Sequence, residues 1–123
     1  MYRIAVEDHF DAAHALRGYK GKCEAIHGHR FKVVARIAAD ELDDIGMAYD
    51  FTELKAQLKA ILDRFDHTLV NETPPFDVIN PSSENMARTI YDELKAGLKD
   101  APVVLEAVEV WESPTSCAEY REG

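Results

Sequence analysis

Alternating apolar and polar positions open the chain and predict two long β-strands. Residues Tyr2–Leu16 alternate well enough for a first strand, and residues 17–22 form a glycine-rich, charged connector. Alternation resumes over His27–Ala39, where Phe31, Val33, Ala35 and Ile37 share one face and Arg30, Lys32 and Arg36 share the other. This pattern predicts a half-buried antiparallel strand that pairs with the first strand in a hairpin.

The spacing of apolar residues then changes to that of an α-helix in two successive segments. The first helix begins near Asp50, which is placed to cap it with Glu53 three residues further on, and Asp66–Leu69 ends it. Its apolar positions are Phe51, Leu54, Leu58, Ile61, Leu62 and Phe65. The second helix begins within Asn80–Glu84, where the serines can act as caps. Its apolar face consists of Met86, Ile90, Leu94 and Leu98.

Two further strands complete the predicted order of strand, strand, helix, helix, strand, strand. Val103–Glu112 is the first of them, with Val104, Val108 and Val110 on the same side as Glu112, and Cys117–Arg121 is the second. This order predicts one α+β domain over residues 1–123, a four-stranded antiparallel sheet with two helices on one face. The other sheet face and the sheet edges need cover, so we expect an oligomer.

Composition narrows the class of protein. The 123 residues are 46% apolar, and no apolar run is long enough to span a membrane. The first residues lack the apolar core of a signal peptide, so we expect a cytoplasmic protein without a membrane partner. The formal net charge of −9 argues against binding to nucleic acid, because phosphate contacts need clustered Lys and Arg. A small phosphorylated ligand remains compatible with that charge.

Histidine spacing predicts a metal site. His27 and His29 are two residues apart on a strand and point to the same face, while Gly28 points away. His14 lies on the predicted partner strand and supplies a third imidazole. Three imidazoles with one open position are typical of a catalytic zinc, although iron, nickel and copper also accept such ligands.

The two cysteines receive different interpretations. Cys117 reads as a small buried apolar residue, and two cysteines are too few for a disulfide framework. Cys23 lies four residues before His27 and has two competing roles. It closes the metal site as a fourth ligand, without catalysis, or it remains a free thiol beside an open metal position and acts as base or nucleophile.

Four acidic or imidazole side chains complete the candidate chemistry. Asp66 and His67 follow the first helix. They either cap the end of that helix or form, together with Cys23, a set of side chains that transfers protons. Glu112 ends a strand. Its carboxylate is either a solvated group at the strand terminus or binds a ligand that carries adjacent N–H donors. Glu84 favours the start of the second helix, with ligand contact as a secondary role.

At this point the chain resembles the 6-pyruvoyltetrahydropterin synthase family over nearly its whole length. The resemblance is carried by Phe10-x-Ala12-Ala13-His14, Cys23 with His27-Gly28-His29, Asp50-Phe51, Asp66-His67-x-Leu69-x-Asn71, Asn80-Pro81-x-Ser83-Glu84 and Glu112-Ser113. It implies a tunnelling fold, in which trimers close a twelve-stranded barrel and stack into hexamers with active sites between subunits.

The resemblance also implies roles for individual residues. Zinc is held by His14, His27 and His29. Cys23 accepts a proton, and His67 and Asp66 assist it. Glu112 holds the amino-pyrimidine edge of a pterin and shares in the charge relay.

Within the family, the three residues between Cys23 and His27 resemble the bacterial branch. Those enzymes are 6-carboxy-5,6,7,8-tetrahydropterin synthases of queuosine biosynthesis, which convert 7,8-dihydroneopterin triphosphate to 6-carboxytetrahydropterin, acetaldehyde and triphosphate. Animal-type 6-pyruvoyltetrahydropterin synthases have a longer spacing and rank lower.

Glu24 leaves a second activity open. Some relatives lack the cysteine and carry a Glu three residues before the first His of the His-Gly-His motif, and they produce 6-hydroxymethyl-dihydropterin for folate synthesis. Glu24 occupies that position beside Cys23, so the chain resembles a mixed type, unless Glu24 is only a surface acid. Two alternatives lie outside this class of enzyme. The chain could be a structural zinc module closed by Cys23, or a pterin-binding protein without turnover.

Overall fold

A computed structural model describes residues 1–19 and 25–123 and places two helices against a mostly antiparallel sheet. The strands are β1 Tyr2–His14, β2 His27–Ala39, β3 Thr68–Leu69, β4 Val104–Ser113 and β5 Ser116–Tyr120, and the helices are α1 Phe51–Leu62 and α2 Ser83–Gly97. The α+β class and the order of the four long strands and two helices agree with the sequence prediction.

The sheet has five strands in the order β3-β1-β2-β4-β5, so the prediction of four strands is wrong. The additional strand, β3, runs parallel to β1 and pairs only Thr68 with Ala12 and Leu69 with Ala13. A strand of two residues is too short to show alternation in the sequence. It also depends on pairing with the edge of β1, which the local sequence does not reveal. Most of that edge remains unpaired within the described chain.

The helices begin where the cap residues predict. The Asp50 carboxylate accepts from the Thr52 N–H at 2.8 Å, and the Ser82 hydroxyl accepts from the Asn85 N–H at 3.1 Å. The predicted apolar face of α2 is buried throughout, and α1 buries Leu54, Leu58 and Leu62. Phe51, the first residue of α1, is exposed, contrary to the prediction, whereas Leu54 in the same turn is buried.

A bulge in β4 changes which face its residues occupy. Arg36 of β2 pairs with Ala107, and the next residue, Ile37, pairs with Leu105, which leaves Glu106 as the extra residue. Val108 and Val110 therefore point to the helices, whereas Val104 points away and is exposed. The prediction that Val104 shares their side is wrong, because one inserted residue reverses the alternation.

The sheet face without helices is polar rather than apolar. Arg36 bonds Glu109 at 2.8 Å, Lys32 lies over the Trp111 ring at 4.6 Å, and these long side chains cover Val34. Cys117 lies exposed on β5 opposite Trp111, so the prediction of a buried cysteine is wrong. Association would therefore cover the sheet edges rather than this face, and ring closure stays a prediction.

No helix in the described ranges 1–19 and 25–123 is long and apolar enough to cross a membrane.

Candidate metal centre and neighbouring residues

Strand register brings the three predicted histidines together. His14 is directly opposite His27 in the β1–β2 ladder, and Ala12 is opposite His29, so all three imidazoles leave the same face. Their ring centroids lie 4.6 Å (His14–His27), 4.7 Å (His27–His29) and 5.4 Å (His14–His29) apart. Hairpin pairing alone therefore assembles the three side chains that the sequence assigns to the metal.

Backbone carbonyls fix the orientation of two of these rings. His14 Nδ1 donates to the Pro81 carbonyl at 2.8 Å, and His27 Nδ1 donates to the Ala25 carbonyl at 2.7 Å. A carbonyl only accepts, so each Nδ1 carries a proton, and in the neutral ring each Nε2 presents a lone pair. Metal-bound histidines are held in this way, by a hydrogen bond from the nitrogen that does not bind the metal.

Glu112 joins the histidines, which the sequence alone does not indicate. Its Oε1 atom lies 3.2 Å from Nε2 of His14, 3.7 Å from Nε2 of His27 and 2.9 Å from Nε2 of His29. The donor atoms of all four side chains lie within 4.8 Å of one another. Strand β4 lies beside β2, and Glu112 has the same parity as the buried Val108 and Val110, so its carboxylate reaches the histidine face.

The donor set fits a transition metal. The His29 Nε2 atom is buried and lacks an aligned hydrogen-bond partner despite the nearby carboxylate, which leaves a lone pair for another use. Burial is the largest cause that lowers the pKa of His29, against the opposing charge of Glu112, and it favours the neutral ring that binds metal. Neutral imidazoles with one carboxylate are typical zinc ligands.

Asp66 and His67 form a second cluster, with Asp11. The Asp66 carboxylate accepts from the Asp11 N–H at 2.9 Å and lies 3.0 Å from His67 Nδ1, while the His67 N–H donates to the Asp11 carbonyl. The hydrogen bond from the Asp11 N–H is the largest cause that lowers the pKa of Asp66. His67 has a φ of 59° and an exposed ring, so this loop holds the imidazole outward in a backbone conformation that is uncommon for residues other than glycine.

The structure does not bring this second cluster into the histidine cluster of the same chain. Asp11 precedes His14 by three residues, about 10 Å along a strand, and its side chain has the opposite parity. The Asp66–His67 pair is therefore displayed on the surface near the edge of β1. A proton-transfer role for it remains a prediction.

The remaining predicted site residues are less informative in the structure. Cys23 and Glu24 lie outside the described residues. Glu84 is exposed in the first turn of α2, and it makes no hydrogen bond or ion pair with any residue in the described part of the chain. Its observed position agrees with stabilisation of the helix start.

A clamp centred on Arg17 was not predicted from the sequence. Its guanidinium donates to the carbonyls of Asn71, Ile79 and Phe76 at 3.1, 3.1 and 2.7 Å. The Asn80 side chain bonds both the N–H and the carbonyl of Arg17. These contacts join the chain just after His14 to the segment that ends at Pro81, whose carbonyl orients His14. The available signal in the sequence was Asn71 and Asn80, two positions of the family motif whose structural role the motif does not reveal.

Replacing Arg17 with lysine should loosen this clamp, because one ammonium group cannot serve three carbonyls in a fixed fork. We expect the free energy of unfolding to fall by about 1 kcal/mol in urea titrations. Zinc affinity should fall by about 10-fold, as for loss of a group that supports a ligand. Arg88→Lys, on the exposed side of α2, is the matched control. Equal zinc affinities for the two variants would contradict the clamp's role.

Comparisons with known proteins agree with this fold. The family model described as 6-pyruvoyl tetrahydropterin synthase matches residues 3–123. The chain therefore belongs to the 6-pyruvoyl tetrahydropterin synthase family.

Individual relatives cover nearly the whole chain. It is 33% identical to a 6-carboxy-5,6,7,8-tetrahydropterin synthase from Haemophilus influenzae, covering 99% of this chain and 100% of the relative. It is 38% identical to the Bacillus subtilis protein of the same name, covering 98% and 85%. Among solved structures, Caenorhabditis elegans 6-pyruvoyl tetrahydropterin synthase superposes with a TM-score of 0.88 at 28% identity, covering 99% of this chain and 96% of the other.

Proposed function

We propose that this protein is a zinc-dependent 6-carboxy-5,6,7,8-tetrahydropterin synthase. It converts 7,8-dihydroneopterin triphosphate and water to 6-carboxytetrahydropterin, acetaldehyde and triphosphate, a carbon–carbon and carbon–oxygen lyase reaction. The observation that carries the proposal is the cluster of three imidazoles on one sheet face in a chain whose relatives include synthases of that name. From the resemblance to the bacterial branch, we propose that the product enters queuosine biosynthesis, and we expect this reaction to take place in the cytoplasm.

His14, His27 and His29 would hold the zinc through their Nε2 atoms. The carbonyls of Pro81 and Ala25 keep the first two rings in the required tautomer. Zinc supplies Lewis-acid chemistry that acidifies hydroxyl groups, which suits the side-chain hydroxyls of the substrate. The chain's own task at this point is to present three neutral donors in a fixed geometry.

Cys23 and the Asp66–His67 pair would move protons. We assign to the Cys23 thiolate the removal of a carbon-bound proton next to the pterin ring. Asp66 lies 3.0 Å from Nδ1 of His67 and orients that ring, so that His67 returns protons during the internal redox shift. Because this pair lies away from the histidines of its own chain, we propose that it serves a site between subunits of a homohexamer, a dimer of trimers.

The acidic residues would bind and orient the substrate. Glu112 presents a carboxylate that matches the two adjacent N–H donors of an amino-pyrimidine edge. Glu84 and Glu24 are further candidates for substrate contact, the first at the start of α2 and the second beside Cys23. A carboxylate that anchors the pterin fixes the side chain relative to the metal and to Cys23.

Product identification tests this proposal. Purified, zinc-loaded protein should turn dihydroneopterin triphosphate into acetaldehyde and a 6-carboxypterin, measured by chromatography after incubation. A 6-pyruvoyl product without acetaldehyde would favour the activity named for the Caenorhabditis elegans relative. Unchanged substrate would contradict the proposal that the protein is an enzyme. The remaining hypotheses would then be a pterin-binding protein and a structural zinc module.

Glu24 provides a separate prediction about a second activity. If it supports side-chain cleavage, Cys23→Ala should still yield 6-hydroxymethyl-dihydropterin, whereas Glu24→Ala should yield none. The two products are compared by chromatography from the same incubation, with Glu53→Ala in the exposed first turn of α1 as the control. Equal product ratios in the Cys23 and Glu24 variants would contradict the second activity.

A further inference from the structure

The position of Glu112 matches the fourth corner of a tetrahedral metal site. A tetrahedron with ligand bonds of about 2.0–2.2 Å has neighbouring ligand atoms about 3.3–3.6 Å apart. The three distances from Glu112 Oε1 to the Nε2 atoms are 2.9, 3.2 and 3.7 Å, and they bracket that edge length. One oxygen faces all three nitrogens, rather than pairing with one of them.

The hydrogen bonds of two rings leave their Nε2 atoms facing Glu112. Nδ1 of His14 and of His27 donates to a carbonyl, so the other ring nitrogen of each is turned inward. In the neutral rings that bind metal these Nε2 atoms are acceptors, and carboxylate oxygens are acceptors as well. A central metal ion would satisfy such a group of acceptor atoms together.

We infer that Glu112 is the fourth metal ligand of the substrate-free protein and occupies the position that the sequence left open. The inference deepens the proposed function and rests on it, because the substrate's hydroxyls need that same position. One carboxylate cannot bind the metal and the amino-pyrimidine edge together. Glu112 therefore holds the metal first and is released to the pterin ring when substrate enters.

Cobalt(II) substitution tests the inference without turnover. Four-coordinate cobalt has visible absorption bands that respond to each ligand, so the spectra of wild type, Glu112→Gln and Glu109→Gln are compared. Glu109 lies on the same strand but pairs with Arg36 on the opposite face, and its variant controls for the lost charge. We expect an altered spectrum in Glu112→Gln only, with cobalt affinity at least about 10-fold lower.

Acetate then serves as a replacement carboxylate. We expect it to restore a wild-type-like spectrum in Glu112→Gln with saturation, and to leave wild type unchanged because its fourth position is filled. Adding 7,8-dihydroneopterin should shift the wild-type spectrum by displacing Glu112.

Two outcomes would overturn the inference. They are identical spectra and affinities for wild type and Glu112→Gln, or an acetate response of the same size in both. Lack of turnover with dihydroneopterin triphosphate, or no shift of the wild-type spectrum on adding 7,8-dihydroneopterin, would instead count against the proposed function, and the comparison of wild type with Glu112→Gln would still decide the ligand.

Discussion

Cys23→Ala is expected to keep its zinc and to lose turnover by about 100- to 10,000-fold, the range for removing a positioned acid or base. The reason is a division of tasks. Three imidazoles and the Glu112 carboxylate already gather around one point, so the thiol is free to act on the substrate's carbon. Zinc content is measured by atomic absorption, and turnover is measured as acetaldehyde released from dihydroneopterin triphosphate.

Cys117→Ala is the matched control for this experiment, because Cys117 is exposed on the sheet face opposite to the histidines. It should retain both zinc and activity. A Cys23→Ala protein that loses its zinc would instead identify the thiol as a structural ligand. That result would favour the structural zinc module over the enzyme.

His27→Ala is expected to lose both metal and activity, because it removes one of the three imidazole donors. Replacing a group that merely supports a metal ligand costs about 10- to 100-fold in affinity, and removing the ligand should cost more. Competition with a chromophoric chelator gives the zinc affinity, and thermal unfolding with and without zinc gives the stabilisation by bound metal. Wild type should be stabilised by zinc, and the variant should not.

His9→Ala tests whether any histidine of this sheet would give the same result. His9 lies on β1 but is exposed with the parity opposite to His14, so its loss should change neither zinc affinity nor turnover. Unchanged zinc affinity in His27→Ala would contradict the assigned site, whatever its effect on activity.

The three-histidine part of the candidate metal centre was predictable because it depends on local geometry. Two-residue alternation places His27 and His29 on one face, and a hairpin brings His14 opposite them, so spacing alone brought the three imidazoles together. The caps at Asp50 and Ser82 are equally local, since each side chain bonds an N–H two or three residues away. These features require no knowledge of strand order.

Other features depend on long-range pairing, which one sequence does not specify. Glu112 faces the histidines because β4 lies beside β2, more than 80 residues apart from His14 in the chain. The bulge at Glu106 turns Val104 outward, and no alternation signal marks an inserted residue. Strand β3 consists of two residues that pair with β1. The Arg17 clamp depends on hydrogen bonds to carbonyls of a segment more than 50 residues away in the chain.

If His67 returns protons as proposed, its left-handed backbone opposes thermal stability to catalysis at that position. A non-glycine residue in this conformation costs about 1–2 kcal/mol, and glycine would recover that energy while deleting the imidazole. Variants sorted only for survival at high temperature should therefore accumulate glycine at residue 67 and lose turnover. An engineering programme for a robust catalyst would have to hold this residue fixed and seek its gains elsewhere in the chain.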